Sequence, residues 1–181
     1  MPINSQAKGK RAERDLANWW KLNGFPDAAR AVKTGDRFTP DAGDLILQYG
    51  DFRLVVEVKH HAGGLTTGDV SRFGEKLQTQ TRQSGSHMGV LVERRDRVAN
   101  AGDWWLWVDD FVYAALLLER GVAPIPASFV HMVRLPVHRF AKLLRVAGLA
   151  QPMREVVSSL LSPPDGAAPE AETVTNTRTG T

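Results

Sequence analysis

Two strand-like runs separated by Gly50-Asp51 constrain this chain more than any other feature. Asp44–Tyr49 and Phe52–Lys59 are rich in β-branched, aromatic and other large apolar residues, the composition of strands. Glycine at the first central position suits a two-residue II′ hairpin turn. Closing the hairpin there pairs Tyr49 with Phe52 and carries Asp44 opposite Glu57, on one side of the sheet. Directly opposed residues hold their Cβ atoms about 4.5–5.5 Å apart. Side chains alternate along a strand, so Glu57 and Lys59 share a face while Val58 points the other way. Leu45, Leu47, Leu54, Val56 and Val58 fall on the opposite, apolar face. Two carboxylates so close repel each other, and a divalent cation is the simplest reason to keep them together.

The remaining residues bound what such a hairpin belongs to. A chain of 181 residues, 43% hydrophobic, fits one domain with a true core. With no cysteine, a disulfide scaffold, a thiolate zinc site and a cysteine nucleophile are excluded, which suits a cytosolic protein. The polar start, Met-Pro-Ile-Asn-Ser-Gln, lacks the apolar run of a signal peptide, and no stretch is apolar for long enough to span a bilayer. The net charge of +3 is unevenly spread: residues 1–37 carry eight Lys/Arg against four Asp/Glu, whereas 163–181 sum to −2. A basic leading segment suits a polyanionic partner such as nucleic acid, although an ordinary solvated surface also carries such charge.

Along the chain, Lys8–Asn23 reads as a helix capped near Ser5 and ended by Gly24, with Ala12, Leu16, Trp19 and Trp20 facing the core. Phe25–Pro40 is a polar connector with a short strand around 29–32. After the hairpin and a loop at His60–Gly64, a helix over Asp69–Arg82 is expected, capped by Thr67 or Asp69 and closed by Gly85. Strands follow at 88–94 and 104–108, then a helix starting at Asp109-Asp110 and reaching Arg120, a strand at 129–135 and a helix at 136–147. Residues 162–181, rich in Pro, Ala, Thr and Glu, are expected to be a disordered tail. Helix, hairpin, helix, strand, strand, helix is the order of an α/β sandwich with a mixed central sheet flanked by helices.

These residues resemble the PD-(D/E)XK nuclease superfamily, with Asp44 as the first acid, Glu57 as the second and Lys59 as the lysine. Pro40-Asp41 is a literal Pro-Asp pair three residues earlier, which makes Asp41 the alternative first acid. Within the superfamily the chain is most similar to archaeal-type Holliday-junction resolvases and their phage relatives. Those begin with Lys-Gly, then Glu-Arg-Asp/Glu-Leu, Gly-Phe and an Arg. Here Lys8-Gly9, Glu13-Arg14-Asp15-Leu16, Gly24-Phe25 and Arg30 stand in that order. The chain departs from the pattern where Asp41-Ala42-Gly43 separates the Pro-Asp pair from the strand, and where Thr34-Gly35 replaces Ser-Gly. The resemblance covers about residues 8–95. It implies a restriction-endonuclease-like three-layer sandwich, with one nuclease domain over 1–161 whose part beyond 95 is an elaboration.

The resemblance further implies a Mg²⁺-dependent endodeoxyribonuclease, with Mn²⁺ able to substitute, acting on branched DNA as a homodimer in the cytoplasm, or in the bacterial host's cytoplasm if phage-encoded. Asp44, Glu57 and the Val58 carbonyl would hold the metal, with Glu13 from the first helix completing the site. Lys59 would orient water or offset charge on the phosphate. Gln78 or Gln80 would fill the place of a glutamine that recurs after the lysine. Lys8, Lys10, Arg11, Arg14, Arg30, Lys33 and Arg37 would grip phosphates, contacts that fix position rather than sequence. His60 and His61 lack zinc spacing and are expected to meet DNA or solvent. Trp104, Trp105 and Trp107 suit core packing or a subunit interface better than base stacking. The alternatives are a nuclease of the same core acting on DNA ends, flaps or duplex sites, and a non-catalytic nucleic-acid-binding module.

Overall fold

The computed structural model describes residues 5–31, 43–118 and 131–153. The expected Asp41, Lys33 and Arg37, and the 162–181 tail, lie outside the described residues. The elements are α1 (Ser5–Lys21), β1 (Ala29–Arg30), β2 (Leu45–Tyr49), β3 (Phe52–Lys59), α2 (Thr67–Gln83), β4 (Met88–Glu93), a 3₁₀ turn (Ala101–Asp103), β5 (Trp105–Asp109), α3 (Asp110–Leu117), β6 (Met132–Pro136) and α4 (Val137–Val146). They build the expected α/β sandwich around one mixed sheet of six strands, ordered in space as in the chain. β3 and β4 run parallel, which requires a crossover, and α2 supplies it. The other neighbouring pairs are antiparallel.

Alternation along β3 sorts its residues into two cores. Leu54, Val56 and Val58 join Ala12, Leu16 and Trp20 of α1 and Phe140 and Leu144 of α4 in the larger cluster. Val55 faces the other way and packs with Leu91 of β4 and with Val70 and Leu77 of α2. Every residue of β4 is buried, as befits a strand covered on both faces. Trp20 and Phe25 meet edge to face at 5.4 Å, and Trp104 is fully buried. Of the three later tryptophans, only Trp104 therefore belongs to the deep core. Trp105 and Trp107 lie half-buried on the α2 side of the sheet.

The hairpin has the expected register. Tyr49 pairs with Phe52, and the ladder runs to Leu45 opposite Val56. Gly50 has φ +55°, the left-handed value that the first position of the turn demands. The ladder does not extend regularly to Asp44, however. Gly43 turns the chain with φ +80°, and Asp44 N donates to the carbonyl of Val56, the residue already paired with Leu45. A Cβ at residue 43 would come within 2.7 Å of Val55 Cγ1, so only glycine allows this approach.

α2 begins earlier than its composition implies, because its cap is Thr66. Thr66 Oγ1 accepts from Asp69 N, and Asp69 Oδ2 accepts from Thr66 N, a complete capping box. The Thr66 hydroxyl and amide together hold the Asp69 carboxyl below its usual range. The helix ends at Ser84, followed by Gly85 at φ +62°. Asp109 ends β5 and caps α3 by accepting from Phe111 N and Val112 N.

Candidate active site

The acidic end of the hairpin is built by β2, β3 and α2. Glu57 is 1% exposed and Asp44 8% exposed, two of the four buried carboxylates among the described residues. Asp44 Oδ2 accepts a 2.8 Å hydrogen bond from Val58 N. Its carboxylate thus takes the place of a ladder partner and is pinned against β3 next to Glu57. Lys59 lies two residues on from Glu57 on the same face, and its ammonium donates to Glu57 Oε1 at 2.5 Å. It also sits 5.1 Å from the centre of the Phe73 ring, between helix and strand.

α2 adds two more donors to Glu57. Lys76 Nζ lies 3.3 Å from Glu57 Oε1, and Gln80 Nε2 donates to Glu57 Oε2 at 3.4 Å. Residues 76 and 80 are one helical turn apart, so both reach the strand from one stripe of α2. Of the two candidate glutamines, Gln80 reaches Glu57. Gln78 is half-exposed and accepts from Arg82. Lys76 was not among the expected residues. The signal that finds it is its spacing of four from Gln80 and three from Phe73.

Glu13 takes a different position from Glu57 and Lys59. α1 packs on the face of Leu54 and Val56, opposite theirs. There Glu13 Oε2 pairs with Arg30 Nε at 2.6 Å. Arg30 lies opposite Leu45, and Ala31 N donates to the carbonyl of Asp44, so this ion pair flanks the start of β2. Lys8, Lys10, Arg11 and Arg14 are exposed along α1, and Arg11 approaches Asp15 at 3.9 Å. His60 pairs with Asp96 at 2.7 Å and holds that carboxyl below its usual range, with help from nearby Lys8.

Among the described residues no group of three or more His, Asp or Glu side chains is close enough to hold a metal. The donor chemistry nevertheless fits Mg²⁺, which takes one or two carboxylates and completes its shell with water and phosphate. Gln80 Oε1 has no hydrogen-bond partner although it is inaccessible to solvent, beside Glu57.

No protein-family model matches this chain, and no curated protein does. Among solved structures, the chain is similar to the 1.6 Å structure of Archaeoglobus fulgidus Hjc, a Holliday junction resolvase from an archaeal hyperthermophile. The identity is 22% over 82% of this chain and 98% of that one, with a TM-score of 0.39.

Proposed function

We propose that this protein is a metal-dependent endodeoxyribonuclease that hydrolyses phosphodiester bonds in branched DNA. The observation that carries the reading is the burial of Asp44 and Glu57 at one end of β2 and β3, with Lys59 on the Glu57 face. A buried pair of acids costs solvation and mutual repulsion, so a fold keeps one where it has a use for the charge. Asp44, Glu57 and the carbonyl of Val58 would hold Mg²⁺ or Mn²⁺. A cation there would lower the pKa of water and neutralise charge developing on the phosphate. Lys59 is positioned by its bond to Glu57, and its compact ammonium would offset charge on the scissile phosphate or hold the attacking water. Gln80 orients Glu57, and Lys76 balances its charge. Lys8, Lys10, Arg11, Arg14, Arg30, Lys33 and Arg37 would position DNA by its backbone, and a homodimer would place two such sites on the two strands of a junction.

A second reading has its own observation. Both oxygens of Glu57 are already engaged by protein donors, as they would be in a DNA-binding module that keeps the core without the chemistry. Labelled four-way junction, flap, linear duplex and single-stranded DNA, each incubated with and without Mg²⁺, separate the readings. Metal-dependent cleavage of the junction, abolished by Asp44→Asn with DNA binding kept, is expected. Cleavage confined to flaps, ends or duplex would move the substrate class. Binding without cleavage at any divalent metal would leave the non-catalytic module.

A further inference from the structure

Across the sheet from the acidic site lies a feature that neither the motif nor the basic α1 includes. A cavity of about 310 Å³ opens between the loop following β3, the loop following β4, and strands β5 and β6. Arg94, Arg95 and Arg134 line it, with Trp105 as its aromatic wall. The guanidinium carbons of Arg95 and Arg134 lie 4.7 and 4.9 Å from the centre of the Trp105 ring. Arg134 also stands 5.2 Å from that of Trp107.

The acids of this cavity are already engaged. Glu93 is buried and accepts from Leu65 N at 3.0 Å and from Trp107 Nε1 at 3.1 Å. Asp96 is paired with His60. Arg134 is exposed and, among the described residues, has ring contacts but no ion pair. Arg95 Nη1 donates to the carbonyl of Asp103 at 3.0 Å, so it is the Arg134 guanidinium, laid on the indoles, whose planar fork matches the oxygens of a phosphate.

Strand register places the cavity relative to the acids. Glu57 pairs with Leu91, Leu91 with Trp107, and Trp107 with Arg134, one row crossing β3 to β6. Lys59 is paired with Glu93, which lines the cavity. At about 4.8 Å per strand, Arg134 stands about 14 Å from Glu57 along this row. That span is about two phosphate steps along a DNA strand, because the rise of about 3.4 Å per phosphate is only its component along the helix axis.

We propose that this cavity binds a backbone phosphate of DNA, held by Arg134 on the Trp105 platform with Arg95 beside it, and lying about two nucleotides from the phosphate at Lys59. The proposal rests on the DNA-directed reading of the acidic site and adds the path of the strand across the sheet. Its test needs no cleavage. The affinity of the full-length protein for labelled four-way junction and linear duplex is measured over a salt series without divalent metal. The variants are Arg134→Gln and Arg134→Lys, each checked for an unchanged thermal melt. Arg134→Gln should weaken binding about three- to tenfold and lower the slope of log affinity against log salt by about one. Arg134→Lys should retain the slope and recover affinity only in part, since it keeps the charge but not the fork. Wild-type binding with an unaltered affinity and slope in Arg134→Gln would overturn the proposal while leaving the DNA reading intact. Weaker binding at an unaltered slope would also overturn it, because no phosphate contact would have been lost. Failure of the wild-type protein to bind either DNA would overturn both.

Discussion

Lys59 is the residue whose role can be isolated most cleanly. It is one of three donors on Glu57, so its removal leaves the buried carboxylate held by Lys76 and Gln80. The fold should therefore tolerate Lys59→Ala, while turnover falls at least about a hundredfold, the scale of losing one preorganised electrostatic stabiliser. Lys59→Arg should not restore it, because a planar fork replaces a point charge. The measurement is the single-turnover rate at saturating enzyme. An unchanged rate with weaker affinity would reduce Lys59 to a non-specific DNA contact. At this scale the acidic site was partly legible in the sequence. Glu57 and Lys59 stand out because strand alternation alone assigns their shared face, whereas the seat of Asp44 depends on the turn at Gly43 and its bond to the Val58 amide. Lys76 does not, since a lysine in a helix reads as solvated until the strand beneath it is known. Glu13 could be placed on α1 but not paired, because Arg30 reaches it from a separate strand.

The element that joins fold to site is α2. It bridges β3 and β4, covers Val55 and Leu91, and presents Lys76 and Gln80 to Glu57. Its closeness to the sheet depends on Gly89. A Cβ there would collide with Thr81 Oγ1 and come within 2.8 Å of Leu77 Cγ, although φ at residue 89 is not in the left-handed region. Gly89→Ala should therefore act by overpacking, destabilising the protein by about 1–3 kcal/mol. It should also lower cleavage beyond what unfolding explains, by lifting Gln80 from Glu57. Thermal melts and single-turnover rates below the melting range check both. A variant with wild-type stability would show that α2 rides freely over β4. The hydrophobic pattern revealed this helix but not its start. Thr66 lies before the periodic residues and is identified as the cap only by its reciprocal bonds with Asp69. The tight approach at Gly89 had no sequence signal, because it depends on which two elements stack.

At the scale of the whole molecule, the stretch that carries the motif does not close its own core. Trp104, Leu106, Val108, Phe140 and Leu144 belong to the same buried cluster as Leu16, Trp20, Leu54 and Val56. The later chain also grips the end of α1. Arg145 Nη1 donates to the carbonyl of Asn23, and Gln151 N to that of Gly24, each at 2.9 Å. Burial among these groups lowers the Arg145 pKa, yet a guanidinium stays charged at any pH a protein survives. Trp19 packs on Gly102 so closely that no side chain would fit at that position. A fragment ending at Asn100 would thus expose the apolar side of β3 and β4 and leave α1 without its closing bonds. Losing five large core side chains at about 1.5–3 kcal/mol each removes about 7.5–15 kcal/mol, comparable with the whole stability of a domain, about 5–15 kcal/mol. The fragment should therefore show no cooperative thermal transition by circular dichroism and no dispersed amide spectrum, although it contains every residue of the Asp44, Glu57 and Lys59 set. A sharp melt from the fragment would mean that β5, β6 and α4 are a separable addition, and that the cavity at Trp105 could be removed without disturbing the acids.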